Sequence, residues 1–126
     1  MTTINSFRDL TVWPVSMDLA DVCFDIVEAI PHPYRYTFTN QVIPAGISIP
    51  SNIAEGSRRP TKAYLNHLSY SLGSHGELDT LFELLHRKKL VPEPLLSKGV
   101  VLLEPIGKTL HGLAESLELR LRSENA

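Results

Sequence analysis

The string Glu83-Leu84-Leu85-His86 is the segment of this chain with the most familiar metal chemistry. On a helix, a glutamate and a histidine three residues apart share a face, and di-iron bundles use two such pairs plus two carboxylates from facing helices. A second pair is missing here, since His32, His67, His75 and His111 all lack a glutamate three residues earlier. His86 also sits beside Arg87, Lys88 and Lys89, a cationic stretch unsuited to a metal ion. The expectation is no metal and no cofactor.

Asn52, Glu55, Ser74 and Glu77 make a second polar set. Glu55 and Glu77 could form an acid–base pair, because paired carboxylates can be tuned apart by their environments. The competing reading is a hydrogen-bonded network that joins two helices and does no chemistry, and it is the better one, since buried polar groups mostly pair with each other. Gly73 and Gly76 would then let the two backbones approach. Cys23 lies beside an apolar helical face with no His–Asp arrangement near it in sequence, so it reads as a small buried hydrophobe. As the only cysteine it forms no intrachain disulfide, which agrees with a reducing compartment. No phosphate-cradling glycine loop, zinc-spaced cluster or nucleophile elbow occurs. No catalytic residue is assigned, and the chain is not expected to be an enzyme.

Cations gather in two triplets, Arg58, Arg59 and Lys62, and Arg87, Lys88 and Lys89. Either could touch phosphate, yet each also suits a solvated helix end, and no aromatic residue interleaves with them as a stacking platform would require. About 25 residues of helix separate the triplets, or ~38 Å, so they are two patches and not one stripe. The net charge of −2 provides no global pull toward nucleic acid. Such binding would have to arise locally or by multiplication in an oligomer.

The elements that must carry these residues are helical. The chain of 126 residues, 43% apolar and 21% charged, suits one globular domain spanning 1–126. Proline and glycine divide it into four periodic segments, near 11–30, 40–55, 61–89 and 93–122. In the first, Leu10, Trp13, Met17, Ala20, Phe24 and Val27 step by three and four along one face, with Asp18, Asp21, Asp25 and Glu28 on another. Residues 31–39, with two prolines and three aromatics, read as a connector. The second segment keeps Val42, Ala45, Ile49 and Ile53 in register despite Pro44 and Pro50, and a kink is expected at Pro50. The third has the strongest stripe, with Thr61 as its cap; Pro105 should bend the fourth, which Glu104–Lys108 and Glu118–Arg122 pairs favour. No strand-like alternation appears. The expected fold is all-α, an antiparallel up-and-down four-helix bundle. No secretory-type opening and no apolar run of ~18 residues occurs, so the cytoplasm is the expected location and no membrane contact is expected.

Three segments in order, Phe7–Trp13 (FRDLTVW), Ser48–Gly56 (SIPSNIAEG) and Gly73–Leu78 (GSHGEL), resemble the signature of the four-helix-bundle family encoded in intervening sequences of bacterial 23S ribosomal RNA genes. The resemblance covers nearly the whole chain. It implies a cytosolic bundle that assembles into a homo-oligomeric ring, commonly of five subunits, with no enzymatic activity attached. It also implies a structural network at Ser48, Pro50, Asn52, Glu55, Gly56, Gly73, Ser74 and Glu77. A relative of the family serves diversity-generating retroelements as a basic accessory protein that binds reverse transcriptase and nucleic acid. One departure bears on this: the family usually carries a basic pair after the glutamine matched by Gln41, whereas Ile43 and Pro44 stand here. Weak nucleic-acid binding follows, because phosphate affinity scales with the cations delivered.

Two readings remain: a homo-oligomeric scaffold that binds itself and a protein partner, or a nucleic-acid-associated accessory protein. The sequence supplies its own motive for assembly. With helices 1 and 2 at ~30 and ~24 Å and helices 3 and 4 at ~42 Å, the far end of the last hairpin would overhang its neighbours. That end is apolar nearly all round, and Leu81, Leu84 and Leu95 are the candidate subunit interface.

Overall fold

The computed structural model describes residues 6–126. A 3-10 turn at Phe7–Asp9 precedes four helices: α1 (Val12–Ala29), α2 (His32–Gly56), α3 (Thr61–Arg87) and α4 (Glu93–Glu124). No strand occurs among the described residues. Each helix packs on its two neighbours, α1 on α2 and α4, α3 on α2 and α4, and among the described residues no backbones approach closely across the diagonal. Short links make neighbours antiparallel, so the molecule is the up-and-down bundle expected. Among the described residues no helix is long and apolar enough to cross a membrane.

The core is built from Leu19, Ile26 and Ile30 of the first hairpin arm, Ile49 and Ile53 of α2, Leu68, Leu78, Phe82 and Leu85 of α3, and Leu96, Ile106 and Leu110 of α4. In α1 the buried face differs from the expected one. Val12, Leu19, Cys23 and Ile26 point inward, whereas Met17 and Phe24 are exposed. Of the expected stripe, Ala20 and Val27 are buried and Leu10 and Trp13 pack against the core. The helix is apolar over a wider arc than the bundle buries, so the buried face is rotated from the expected one and only partly coincides with it. The Asp18–Glu28 acidic stripe is exposed, as expected.

The start of α2 is a correction. Residues 32–39 are helical and not a connector. Pro31 is the N-cap and Pro33 lies in the first turn, where a missing amide hydrogen leaves no bond unmade. Arg35 fastens this corner: its Nε donates to the carbonyl of Ile30 (3.0 Å) and its Nη2 to that of Glu28 (3.1 Å). With 25 residues, α2 is ~38 Å long, close to the ~41 Å of α3. The overhang expected of the last hairpin is correspondingly reduced, and Phe82, Leu85, Val91 and Leu96 are buried within the chain.

Helix ends also shift. Pro60, not Thr61, is the cap of α3, and the Thr61 hydroxyl donates instead to Glu124 Oε1 at 2.9 Å, tying the start of α3 to the end of α4. α3 stops at Arg87 because Lys89 adopts φ 54°, and the amides of Lys89 and Leu90 donate back to the carbonyls of His86 and Leu85. That is a left-handed C-terminal cap. The expected Glu104–Lys108 and Glu118–Arg122 pairs do not close; the i, i+4 pairs among the described residues are Glu55–Arg59 and Glu83–Arg87.

Candidate functional site

The signature segment Ser48–Gly56 forms the last turns of α2 and meets α3 through Asn52. The Asn52 Nδ2 donates to the carbonyl and to the Oγ of Ser48 (2.9 and 3.0 Å). Its Oδ1 therefore faces His67, whose Nδ1 donates to it at 2.9 Å. The opposite ring nitrogen, Nε2, lies 4.0 Å from Glu55 Oε1, which also pairs with Arg59 at 3.4 Å. Tyr70 stands edge-on to the His67 ring. One turn above, the buried Ser71 hydroxyl donates to the carbonyl of Ile49 at 2.9 Å. These bonds serve the carbonyls of Ser48 and Ile49, just ahead of the buried Pro50. At Gly56 a Cβ would fall 2.7 Å from the Cβ of His67 and 2.9 Å from Tyr64, so only glycine permits the approach of α2 to α3 there.

Ser48, Asn52 and Glu55 are thus brought together, with His67 and Ser71 as partners that their spacing in sequence did not disclose. Gly73, Ser74 and Glu77 are not part of the cluster. Gly73 and Glu77 are exposed and Ser74 half-buried, and among the described residues neither polar side chain has a hydrogen-bond or ion-pair partner. A Cβ at Gly73 or Gly76 would meet nothing within 4 Å, so neither glycine serves helix approach inside the chain. Asn52 and His67 mark one level of the bundle; Glu77 lies ten residues above it on α3 and Glu55 three below on α2, so on the order of 20 Å separates the two carboxylates. Within one chain they cannot act as an acid–base pair.

His75, inside the GSHGEL element, points the other way. Its Nε2 donates to the carbonyl of Leu103 on α4 at 2.6 Å, in space that a Cβ at Gly107 would fill. Glu83 and His86 are exposed and engage separate partners, Arg87 at 3.2 Å and Glu93 at 2.7 Å. Among the described residues no three of His, Cys, Asp and Glu converge on a metal position. Cys23 packs against Gly46 in the core, and burial pushes its thiol up to about 12. Burial also raises the Tyr64 phenol, with Arg120 opposing.

The two basic triplets occupy opposite ends of α3. At the lower end the fold adds what the sequence reading lacked, an aromatic platform. Phe7 has the Arg8 guanidinium 4.7 Å and the Arg58 guanidinium 5.3 Å from its ring centre, with Trp13 edge-on at 5.1 Å. Neither arginine has a carboxylate partner among the described residues. Phe7, Ser51, Ala54, Glu55, Arg58 and Arg59 line an open cavity of about 520 Å³ there. At the upper end Lys88 and Lys89 are exposed, and among the described residues neither stacks on an aromatic ring. Of the candidate interface residues, Leu81 and Leu95 are half-buried against the core and Leu84 is 42% exposed.

A family model described as 23S rRNA-intervening sequence protein matches residues 8–112, most of the chain and all three signature segments but for Phe7. No curated protein is significantly similar to the chain.

Proposed function

The chain belongs to the 23S rRNA-intervening sequence protein family, and from that premise we propose that it is a non-enzymatic scaffold, a cytoplasmic bundle that assembles with copies of itself and acts by binding other proteins. The observation that carries this reading is the outward strip of α3. Tyr70, Gly73, Glu77 and Leu84 follow helical spacing along it, and all are exposed. Glycine inside a helix is about 1 kcal/mol less favourable than alanine, and nothing among the described residues uses the space left at Gly73. A neighbour that needs close approach would use it. Leu84 extends the strip, and Leu81 and Leu95 flank it as candidate contacts. The resemblance implies five subunits, and a heterologous contact repeated by rotation closes such a ring.

Light scattering on the purified protein tests the reading. At tens of micromolar the expected mass is near five times the 14.1 kDa subunit, and a single-subunit mass refutes assembly. Leu84→Asp should shift the mass downward while helicity is retained, because Leu84 is not part of the buried core. A second reading, a nucleic-acid accessory role, is favoured by one feature: the two guanidiniums held on Phe7, which have no carboxylate partner among the described residues.

A further inference from the structure

The outer face between α1 and α2 is unlike the rest of the surface. Trp13, Met17, Ala20 and Phe24 of α1 face Ile47, Pro50 and Ala54 of α2 across an open groove of about 290 Å³. Met17 is 39%, Phe24 48% and Ile47 45% exposed, three large apolar side chains on the two walls of one groove. From Trp13 to Phe24 the groove follows α1 for ~17 Å, the length of three helical turns.

Its rim is acidic. Asp21 lines the groove, and Glu28, seven residues on, shares its meridian; Asp18 and Asp25 repeat that spacing on the adjoining one. Among the described residues none of these four carboxylates has an ion-pair or side-chain hydrogen-bond partner. α1 contains no lysine or arginine. Like charges three and four apart repel, and Glu28 in the last turn opposes the helix dipole. The one cation of α2, Arg35, donates to backbone carbonyls at the α1 corner. The isolated chain thus leaves an apolar groove and a row of uncompensated carboxylates side by side.

We infer that this groove is the docking site for a cationic amphipathic helix of another protein, with apolar anchors at three- and four-residue spacing and Lys or Arg seven residues apart to meet Asp21 and Glu28. This rests on the reading of the protein as a protein-binding scaffold and names the partner's chemistry. A second copy that offered the exposed strip of α3 is a poor match, since Glu77 stands at the middle of that strip. An anionic membrane or a nucleic acid is repelled by the same rim.

The full chain is titrated with three labelled 18-residue peptides and fluorescence anisotropy is read. One peptide has leucine and lysine at amphipathic helical spacing, one has the same composition scrambled, and one has glutamate for lysine. The spaced Leu/Lys peptide is expected to bind one per chain and more tightly than both others. Ile47→Lys should weaken it by at least ~10-fold, as loss of a central anchor does. Asp21→Asn with Glu28→Gln should weaken it several-fold and flatten its salt dependence. Equal binding of the scrambled or acidic peptide, or an affinity untouched by Ile47→Lys in a variant of unchanged helicity, overturns the inference. So does a drop in native mass on Ile47→Lys, which would make the groove a contact between copies and leave the assembly reading standing. A monomeric wild-type protein that binds the peptide through Ile47 would fail the assembly reading and keep the docking site.

Discussion

Asn52 uses both ends of its amide inside the chain, toward Ser48 and toward His67, whereas Glu77 faces solvent with no partner among the described residues. The two signature residues should therefore behave oppositely. Asn52→Ala strands the half-buried His67 Nδ1 and is expected to lower unfolding free energy by roughly 1–3 kcal/mol. Glu77→Ala should stay within about 0.5 kcal/mol, as exposed unpaired sites do. Chemical denaturation of both variants under conditions that keep the assembly state constant checks the contrast. A large effect at Glu77 would mean that a partner outside the chain stabilises it. The sequence disclosed only part of this site. Asn52 and Glu55 stood out as polar residues in a helical segment, but His67 lies fifteen residues from Asn52 in a different helix, and such a pairing follows from helix register rather than from any local spacing. Cys23 offers a second check. Its thiol is raised by burial from 9.0 to about 12, so between those values the unfolded chain loses a proton that the folded chain keeps. Stability from this group is complete below pH 9 and falls as pH rises, by up to about 1.4 kcal/mol per pH unit. Melts from pH 8 to 11 should show that excess slope in the wild type and not in Cys23→Ala.

Prolines decided how well each element could be read. Pro31 and Pro33 looked like a broken connector, yet in the first turn of a helix a proline forfeits no bond, and α2 starts there. Identity alone does not distinguish a proline that starts a helix from one that ends it. Pro44 and Pro50 lie well inside α2, and Val42, Ala45, Ile49 and Ile53 hold the helix because all four are buried. Tertiary packing overrides local propensity in that stretch. α1 shows the reverse failure: its helical period was legible, but its apolar arc is so wide that the period could not say which side faces inward. The end of α3 yields a sharper expectation. Lys89 holds φ 54° without the glycine usual at that position, a conformation that disfavours any residue with a Cβ. Lys89→Gly should raise unfolding free energy by about 0.5–1 kcal/mol, the left-handed strain removed less the added freedom of the unfolded glycine. Thermal melts of this variant beside Lys89→Ala decide it, since alanine keeps the strain and should not stabilise.

Charge is divided unevenly over the whole molecule, and that division sets what it can bind. The four helices and their order followed from apolar periodicity and short links, which is why the bundle was legible. The distribution of charge around it was not, since it depends on which faces turn outward. Residues 12–57 carry Asp18, Asp21, Asp25, Glu28 and Glu55 against Arg35 alone, while Arg8, Arg58 and Lys62 stand near the lower end. Arg59 there is offset by Glu55. About three cations per chain, none with a carboxylate partner among the described residues, can thus meet phosphate at that corner. For single-stranded RNA a slope near −0.7 per neutralised phosphate gives about −2 in log affinity against log salt, or roughly tenfold between 0.05 and 0.15 M. Binding at ~0.15 M salt should then be weaker than ~10 µM, below the usual range of specific recognition. Five subunits presenting the corner together would multiply both affinity and slope, because each added cation releases another counterion. Titration of labelled RNA at several salt concentrations, with the mass of the protein measured in the same buffers, separates the cases. Micromolar or tighter binding at ~0.15 M, with a slope that drops on Arg8→Ala with Arg58→Ala, would put the nucleic-acid reading ahead of the scaffold. A shallow slope that those substitutions leave unchanged would leave Phe7 and its arginines as a clamp between the start of the chain and the end of α2.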